Sequence, residues 1–313
     1  MAASEASADE VERAWHDTKL AQVLYHDWES GTYDHKWSIS FDERCITYAR
    51  DRFIAVAGRA GWPYARALEI GAGTGFFSLN LRQAGVLQEI HLTDISSGMV
   101  AEAGRNAARL GFDVAGVVAD AEGLPYDDAT FDLVVGHAVI HHLPDVEQAF
   151  REMVRVLRPG GRLVICGEPT TYGDRIARTL SRATWWVATR ATRAPGLASR
   201  WARSPAELDE SSRAAALESV VDLHTFQPNE LASTVRRAGA AEVHTVTEEL
   251  TAAWFGWPVR TFEHAVNPDR LGWRWAMFAY RGWQQLSAVD RLLARVVPSG
   301  LFYNVSVTGI RPR

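Results

Sequence analysis

Cysteine is scarce in this chain: Cys45 and Cys166 are the two in 313 residues. They form no Cys-x-x-Cys pair and no Cys/His cluster, which excludes a disulfide framework and a zinc site and leaves two buried, reduced thiols as the expectation. No paired-His or His-Glu spacing suggests another metal, so no metal ligand is assigned and the expected chemistry is metal-independent. No apolar run approaches the roughly 18 residues of a membrane span, and Met1 to Glu10 is polar and acidic where a signal peptide is basic and then apolar. The expected location is cytoplasmic. Lysine occurs only at positions 19 and 36, so arginine supplies 31 of the 33 basic residues, a usage that fits a high-GC genome. A net charge of -5 and a pI near 6.1 speak against a nucleic-acid partner. Tryptophan, by contrast, is plentiful, with twelve residues.

The length suits one large α/β domain with elaborations, or two domains. Residues 1 to about 10 read as a disordered polar tail. From Val11 to Arg59 apolar residues recur at three and four, the spacing of amphipathic helices, with a break at Ser30-Gly31. From Arg66 to Gly161 short apolar runs alternate with helical stretches, the mark of a parallel sheet. Strands are predicted at 67–70, 89–93, 114–119, 131–136 and 162–166, and helices at 76–84, 96–110 and 145–157, the last ended by Pro159-Gly160-Gly161. An Arg/Ala/Trp-rich helical insertion follows over 170–223. The pattern resumes with a helix at 228–238 and a strand at 243–246, is broken by a second, tryptophan-rich insertion, and closes with a strand at 303–310.

Leu68-Glu69-Ile70-Gly71-Ala72-Gly73-Thr74-Gly75-Phe76 sets three alternating glycines between a strand and a helix. Glycines permit a tight turn and let main-chain amides approach a ligand, and the helix that follows offers free N–H groups to an anion. A dinucleotide fingerprint needs its third glycine at position six, where Phe76 stands. The loop instead resembles the first motif of class I S-adenosylmethionine-dependent methyltransferases, an acid followed by Gly-x-Gly-x-Gly. Five further stretches resemble that family in order: Asp94 in His91-Leu92-Thr93-Asp94-Ile95-Ser96, Asp120 in Ala119-Asp120-Ala121-Glu122, Phe131 to Val135, Ile140-His141-His142-Leu143-Pro144-Asp145, and Val156 to Gly161. The likeness covers roughly residues 65 to 168, with weaker agreement at 226–246 and at the last strand.

The resemblance implies a Rossmann-like α/β fold: a seven-stranded, mostly parallel sheet with helices on both faces, a helical N-terminal segment (1–60), a core (61–168, 226–250 and 303–313) and two cap insertions (169–225 and 251–302). It implies S-adenosyl-L-methionine as cofactor, bound by Glu69, Gly71, Ala72, Gly73, Gly75, Asp94, Ile95, Asp120 and Ala121. Asp94 would hold the ribose hydroxyls and Asp120 the adenine amino group. Asp94 equally suits an N-cap, Glu122 competes with Asp120, and Glu69 is as well suited to ordering the loop as to touching ligand. Tyr33 lies in a stretch, Tyr25 to Asp34, that resembles the segment many small-molecule methyltransferases fold over the cofactor, and is the candidate for its carboxylate.

Histidine suits proton removal near neutral pH, and the carboxyl ends of parallel strands are where open α/β sheets bind ligands. His142 is therefore the candidate general base and His137 a candidate at the methyl site; capping of the next helix by His141 and His142 is the structural alternative. Eight of the twelve tryptophans, from Trp185 to Trp283, fall in the two insertions, which favours a hydrophobic small-molecule acceptor. The expected reaction is methyl transfer, with oxygen favoured over nitrogen or carbon. A cofactor-bound cyclase or rearrangement enzyme of the same fold, and a catalytically silent binding subunit, remain open. Residues 170–204 carry seven arginines and one acid, Asp174. That reversal of the overall charge suits either pairing with the acids of 207–222 or peripheral contact with an anionic membrane.

Overall fold

The computed structural model describes residues 8–205, 207–208 and 220–313; the first seven residues of the predicted tail and most acids of 207–222 lie outside the described residues. Helices α1 (Ala8–Ala14), α2 (Thr18–Glu29), α3 (Tyr33–Trp37) and α4 (Glu43–Ala57) lead into the sheet. Side-chain caps set two of these starts: Asp17 accepts the Leu20 N–H, and Asp42 accepts those of Arg44 and Cys45. There follow β1 (Tyr64–Glu69), α5 (Phe76–Gln83), β2 (Leu87–Asp94), α6 (Ser97–Leu110), β3 (Val114–Val118), β4 (Phe131–His137), α7 (Val146–Val156) and β5 (Leu157–Pro169). Ser96 and Asp145 cap α6 and α7 in the same way.

After β5 come α8 (Thr171–Ala191), α9 (Ala198–Trp201), α10 (Pro228–Arg237), β6 (Ala241–Glu248), α11 (Thr251–Ala265), α12 (Trp273–Leu293) and β7 (Asn304–Ile310). The sheet order is β3-β2-β1-β4-β5-β7-β6, with β7 antiparallel to both neighbours and the other pairs parallel. The order reverses direction between β1 and β4, the crevice where open α/β sheets bind ligands. Alternation along β4 divides the core: Val134 packs with Ile70, Phe150 and Val307 on one face, Leu133 and Val135 with Phe53, Phe77 and Leu92 on the other.

Among the predicted strands, the fifth departs furthest from the sequence reading. Pro159-Gly160-Gly161 does not precede the fifth strand but lies within it: pairing begins at Phe131 with Leu157, slips, and resumes at Leu133 with Arg162. Gly160, at φ +82°, accommodates the bulge. Both cysteines are buried free thiols.

The two insertions meet. Helix α11 packs against α8 on one side and α12 on the other, and Ala188, Ala265 and Val266 form a small core flanked by Trp185, Trp201 and Phe262. Asp290 of α12, itself buried, accepts the N–H groups of Leu250, Thr251 and Ala252 and the Thr251 hydroxyl, capping α11 from a distance. Asp290→Ala should therefore lower the unfolding free energy by at least roughly 1–3 kcal/mol, the cost of a buried donor left without acceptor. A wild-type midpoint in urea unfolding would refute that role.

Candidate active site

Glycine geometry shapes the loop after β1. Gly71, Gly73 and Gly75 take φ of +50°, +52° and +82°, a region that strains side-chain-bearing residues. A Cβ on Gly71 would lie 2.0 Å from Val139 Cγ2, and one on Gly75 2.8 Å from Leu79 Cδ1; one on Gly73 would meet nothing nearer than Tyr33, at 3.9 Å. The Cα edge of Gly73 thus faces open space roofed by α3. Gly75 caps α5 and does not line the cavity beyond, whereas Gly71, Ala72, Gly73, Glu69, Asp94, Ile95, Asp120, Ala121 and Tyr33 all do.

The three acids divide their work. One Asp94 oxygen accepts the Gly73 N–H at 2.8 Å and the other the Ser96 N–H at 2.9 Å; burial pushes the carboxyl up to about 6 against these bonds. Each oxygen keeps acceptor capacity toward the cavity. Glu69, pushed up to about 8 by burial, accepts the Ser78 N–H at 3.1 Å and so ties β1 to the start of α5. Asp120 accepts the Glu122 N–H and holds Lys19 Nζ at 2.5 Å, an ammonium shared with Glu122 at 2.6 Å. Polar atoms without a partner surround the cradle: Thr74 Oγ1 and Trp37 Nε1 are buried and unsatisfied, and both residues line the cavity. Buried polar atoms of this kind await a polar ligand. A carboxylate near the sheet switch point, a glycine cradle and unsatisfied hydroxyl and indole groups fit S-adenosylmethionine, whose ribose, carboxylate and ammonium need such partners.

Helix α2 spans this region on three anchors. Lys19 grips Asp120 and Glu122; the Gln22 amide donates to the carbonyls of His142 and Val221; Asp27 accepts the Ser96 hydroxyl and the Gly98 N–H. Inside, Lys36 pairs with the buried Glu29 and donates to the Tyr25 hydroxyl.

The histidines stand at different depths. His137 faces Tyr48, whose hydroxyl is 3.2 Å from its Nε2; burial and nearby Arg52 push its pKa down to about 3. His142 donates Nδ1–H to the Val221 carbonyl at 3.0 Å and is held well below the usual value, first by burial and then by His141 and His26. His141 sets Nδ1 2.7 Å from Glu168 Oε2, and the same carboxylate accepts the N–H groups of Val139, Ile140 and His141. Its Nε2 points toward Asp222, 3.7 Å away. Burial raises the Asp222 pKa. His141, His142 and Asp222 offer three metal-type donors within 4.8 Å of one another, but His142 Nδ1 is bonded to a carbonyl and Arg178 lies 3.3 Å from Asp222, which disfavours a cation.

The cavity that these histidines line has a volume of 1840 Å³. Of the eight insertion tryptophans, Trp257 and Trp283 line it; Trp185 and Trp201 serve the insertion core, Trp275 donates to Glu263, and Trp186, Trp254 and Trp273 are exposed. The cavity also holds a buried ion cluster, Arg52 between Glu248 and Glu249, with its guanidinium 4.7 Å from the Tyr48 ring centre. Sequence reasoning passed over Glu168, Asp222, Lys19, Asp27 and this cluster. Glu168 alone carried a local signal, an acid at the carboxyl end of a predicted strand.

Residues 68–165 match the family model described as "Methyltransferase domain". Over 163 residues the chain is 37% identical to the malonyl-[acyl-carrier protein] O-methyltransferase of Methylococcus capsulatus, covering 49% of this chain and 57% of that one. It is 40% identical over 103 residues to the demethylmenaquinone methyltransferase of Beutenbergia cavernae, covering 33% and 40%. The chain thus spans about half the length of these curated relatives. Among solved structures, phosphoethanolamine N-methyltransferase 2 of Haemonchus contortus with bound S-adenosyl-L-methionine aligns at a TM-score of 0.54 and 16% identity, covering 92% of this chain and 60% of that one, a likeness of fold.

If Asp94 receives the ribose hydroxyls as the resemblance implies, Asp94→Asn should weaken S-adenosylmethionine binding by about tenfold or more, since two hydroxyls lose a charged acceptor. Wild-type affinity should fall as pH drops through about 6, where Asp94 takes up a proton, and the variant should be flat over that window. Titration calorimetry showing equal affinities would remove Asp94 from the ribose.

Proposed function

From a chain whose residues 68–165 are a class I S-adenosylmethionine-dependent methyltransferase domain, we propose an enzyme that methylates a hydrophobic small molecule, at oxygen. The observation that carries this reading is that the glycine cradle and His141, backed by the buried Glu168, open into one cavity with Trp257 and Trp283. The bound cofactor supplies an electrophilic sulfonium methyl, so the protein's tasks are alignment, exclusion of water and proton removal. Asp94, the Gly73 edge, Ile95, Ala121 and Asp120 hold the nucleoside end, and Tyr33 and Trp37 close over the other. For Asp120 to accept the adenine amino group, Lys19 must share the carboxylate or leave it.

The proton of an acceptor hydroxyl passes to His141 Nε2. Its Nδ1–H donates to Glu168, which fixes the tautomer and stabilises the imidazolium formed. A paired base of this kind is what an O–H acceptor needs, and it supports oxygen. His142 and His137, the candidates from sequence, flank the same space, neutral at working pH. The acidic balance of the chain favours a small molecule over nucleic acid. No described helix is long and apolar enough to cross a membrane; the reading places the enzyme in the cytoplasm, with peripheral membrane contact through 170–204.

Incubation with methyl-labelled cofactor and a cell extract should move label into a solvent-extractable small molecule. Label in protein, or none, would favour a protein substrate or a cyclase or silent subunit. With an acceptor in hand, His141→Ala should lower kcat by about a hundred- to ten-thousandfold at unchanged cofactor affinity, and Glu168→Gln should lower it less and shift the pH profile. A loss under about threefold in His141→Ala beside a large one in His142→Ala or His137→Ala would transfer the base to that residue.

A further inference from the structure

The helical layer that walls the acceptor cavity turns a second, different face outward. On the inside, Ala177 and Ser181 of α8 and Ala279, Tyr280 and Trp283 of α12 line the cavity. Outside, α8 exposes Arg175, Arg182, Trp186 and Arg190, and α12 exposes Trp273, Arg274, Phe278, Arg281 and Leu292. Trp273 is 75% exposed and Trp186 56%. Exposed apolar side chains grouped with one another, rather than scattered singly, mark a contact surface.

The two helices are joined through α11. Both pack on α11, and the C-terminal half of α8 and the start of α12 flank the same end of α11, where Ala188 meets Ala265 and Val266 beside Leu271. Charge follows the same boundary. Residues 170–204 carry a net +6 and residues 270–297 a net +4, in a chain of net charge -5. The acid in the second stretch, Asp290, is buried on the main chain of α11, so it does not offset the arginines outside. In the first, Arg178 and Asp174 pair with each other. Arg190 lies with its guanidinium 4.3 Å from the Trp186 ring centre, a cation held against an apolar body.

Indole and guanidinium groups side by side, on helices with apolar side chains between the arginines, suit the headgroup boundary of a bilayer better than bulk water. We propose that α8 and α12 together seat the protein on an anionic membrane surface, so that a lipid-soluble amphiphile passes from the bilayer into the cavity directly behind them. This rests on the reading of an apolar acceptor and names its source. A zwitterionic surface would satisfy the tryptophans alone; the clustered arginines require anionic lipid.

The test is flotation of the full chain with phosphatidylcholine vesicles, with and without phosphatidylglycerol, at low and moderate salt. Expected are binding to the anionic vesicles, little to phosphatidylcholine alone, and release as salt rises. Arg182→Glu with Arg274→Glu should cut the bound fraction by about tenfold or more, and Trp273→Ser should reduce it at every salt, while calorimetric binding of S-adenosylmethionine stays at the wild-type level. No flotation at either salt by protein that still binds cofactor would overturn the proposal, as would equal binding to both vesicle types. So would a dimer, seen by sedimentation, that Arg274→Glu dissociates, since a second copy would then cover this face. Label transfer to an extractable acceptor without flotation sinks the docking alone; flotation without transfer sinks the catalytic reading and leaves the surface.

Discussion

The close approach of Val139 to Gly71 is the constraint on which the carboxyl edge of the sheet depends. The loops leaving β1 and β4 cross there, and any side chain on Gly71 would occupy the place of Val139. Because Val139 sits where it does, with Ala138 before it in a left-handed conformation at φ +51°, its N–H and those of the next two residues converge on the Glu168 carboxylate. One close approach thus registers the glycine cradle, the histidine pair and the end of β5 against each other. Strain at Ala138 is tolerated because its N–H is held by the Cys166 carbonyl on the neighbouring strand.

Most of the fold could be read from sequence because strands buried on both faces make short apolar runs, and glycine and proline punctuate them. The cradle and its acids could be read for the same reason: Glu69, Asp94 and Asp120 each follow or end such a run, so position along the chain is also position in space. The rest of the site is assembled by tertiary approach. Lys19 reaches Asp120 across 101 residues, Arg52 reaches Glu248 across 196, and Gln22 reaches Val221 across 199. No local pattern encodes such pairs. The Pro-Gly-Gly turn reads as a stop, and only the register with β4 reveals it as a bulge within a continuous strand. Tryptophan number pointed to the insertions, yet composition cannot tell the cavity side of a helix from its outer side, and few of these indoles face inward.

Both lysines of the chain contact acids at this one site. Lys19 closes the α2 end onto Asp120 and Glu122; Lys36 neutralises Glu29. Arg52 does for Glu248 and Glu249 what Lys36 does for Glu29, its planar fork serving two carboxylates at once. Ion pairs contribute little net stability whether exposed or buried, so their value lies in fixing geometry: they hold polar anchors at defined points in a cavity whose other lining mixes aromatic, aliphatic and small polar side chains.

The position of β7 has a consequence for the order in which the molecule is made. β6 has β7 as its neighbour in the sheet, yet 55 residues separate Glu248 from Asn304, and those residues carry α11 and α12. As the chain emerges from the ribosome, β6 has no partner to pair with until both helices have been synthesised behind it. The wall of the cavity is thus contained in the loop whose closure completes the sheet. Vectorial synthesis ties the last two strands and the α11–α12 side of the acceptor wall into a single late step, so an arrested chain that displays the glycine cradle under α3 lacks that side of the cavity.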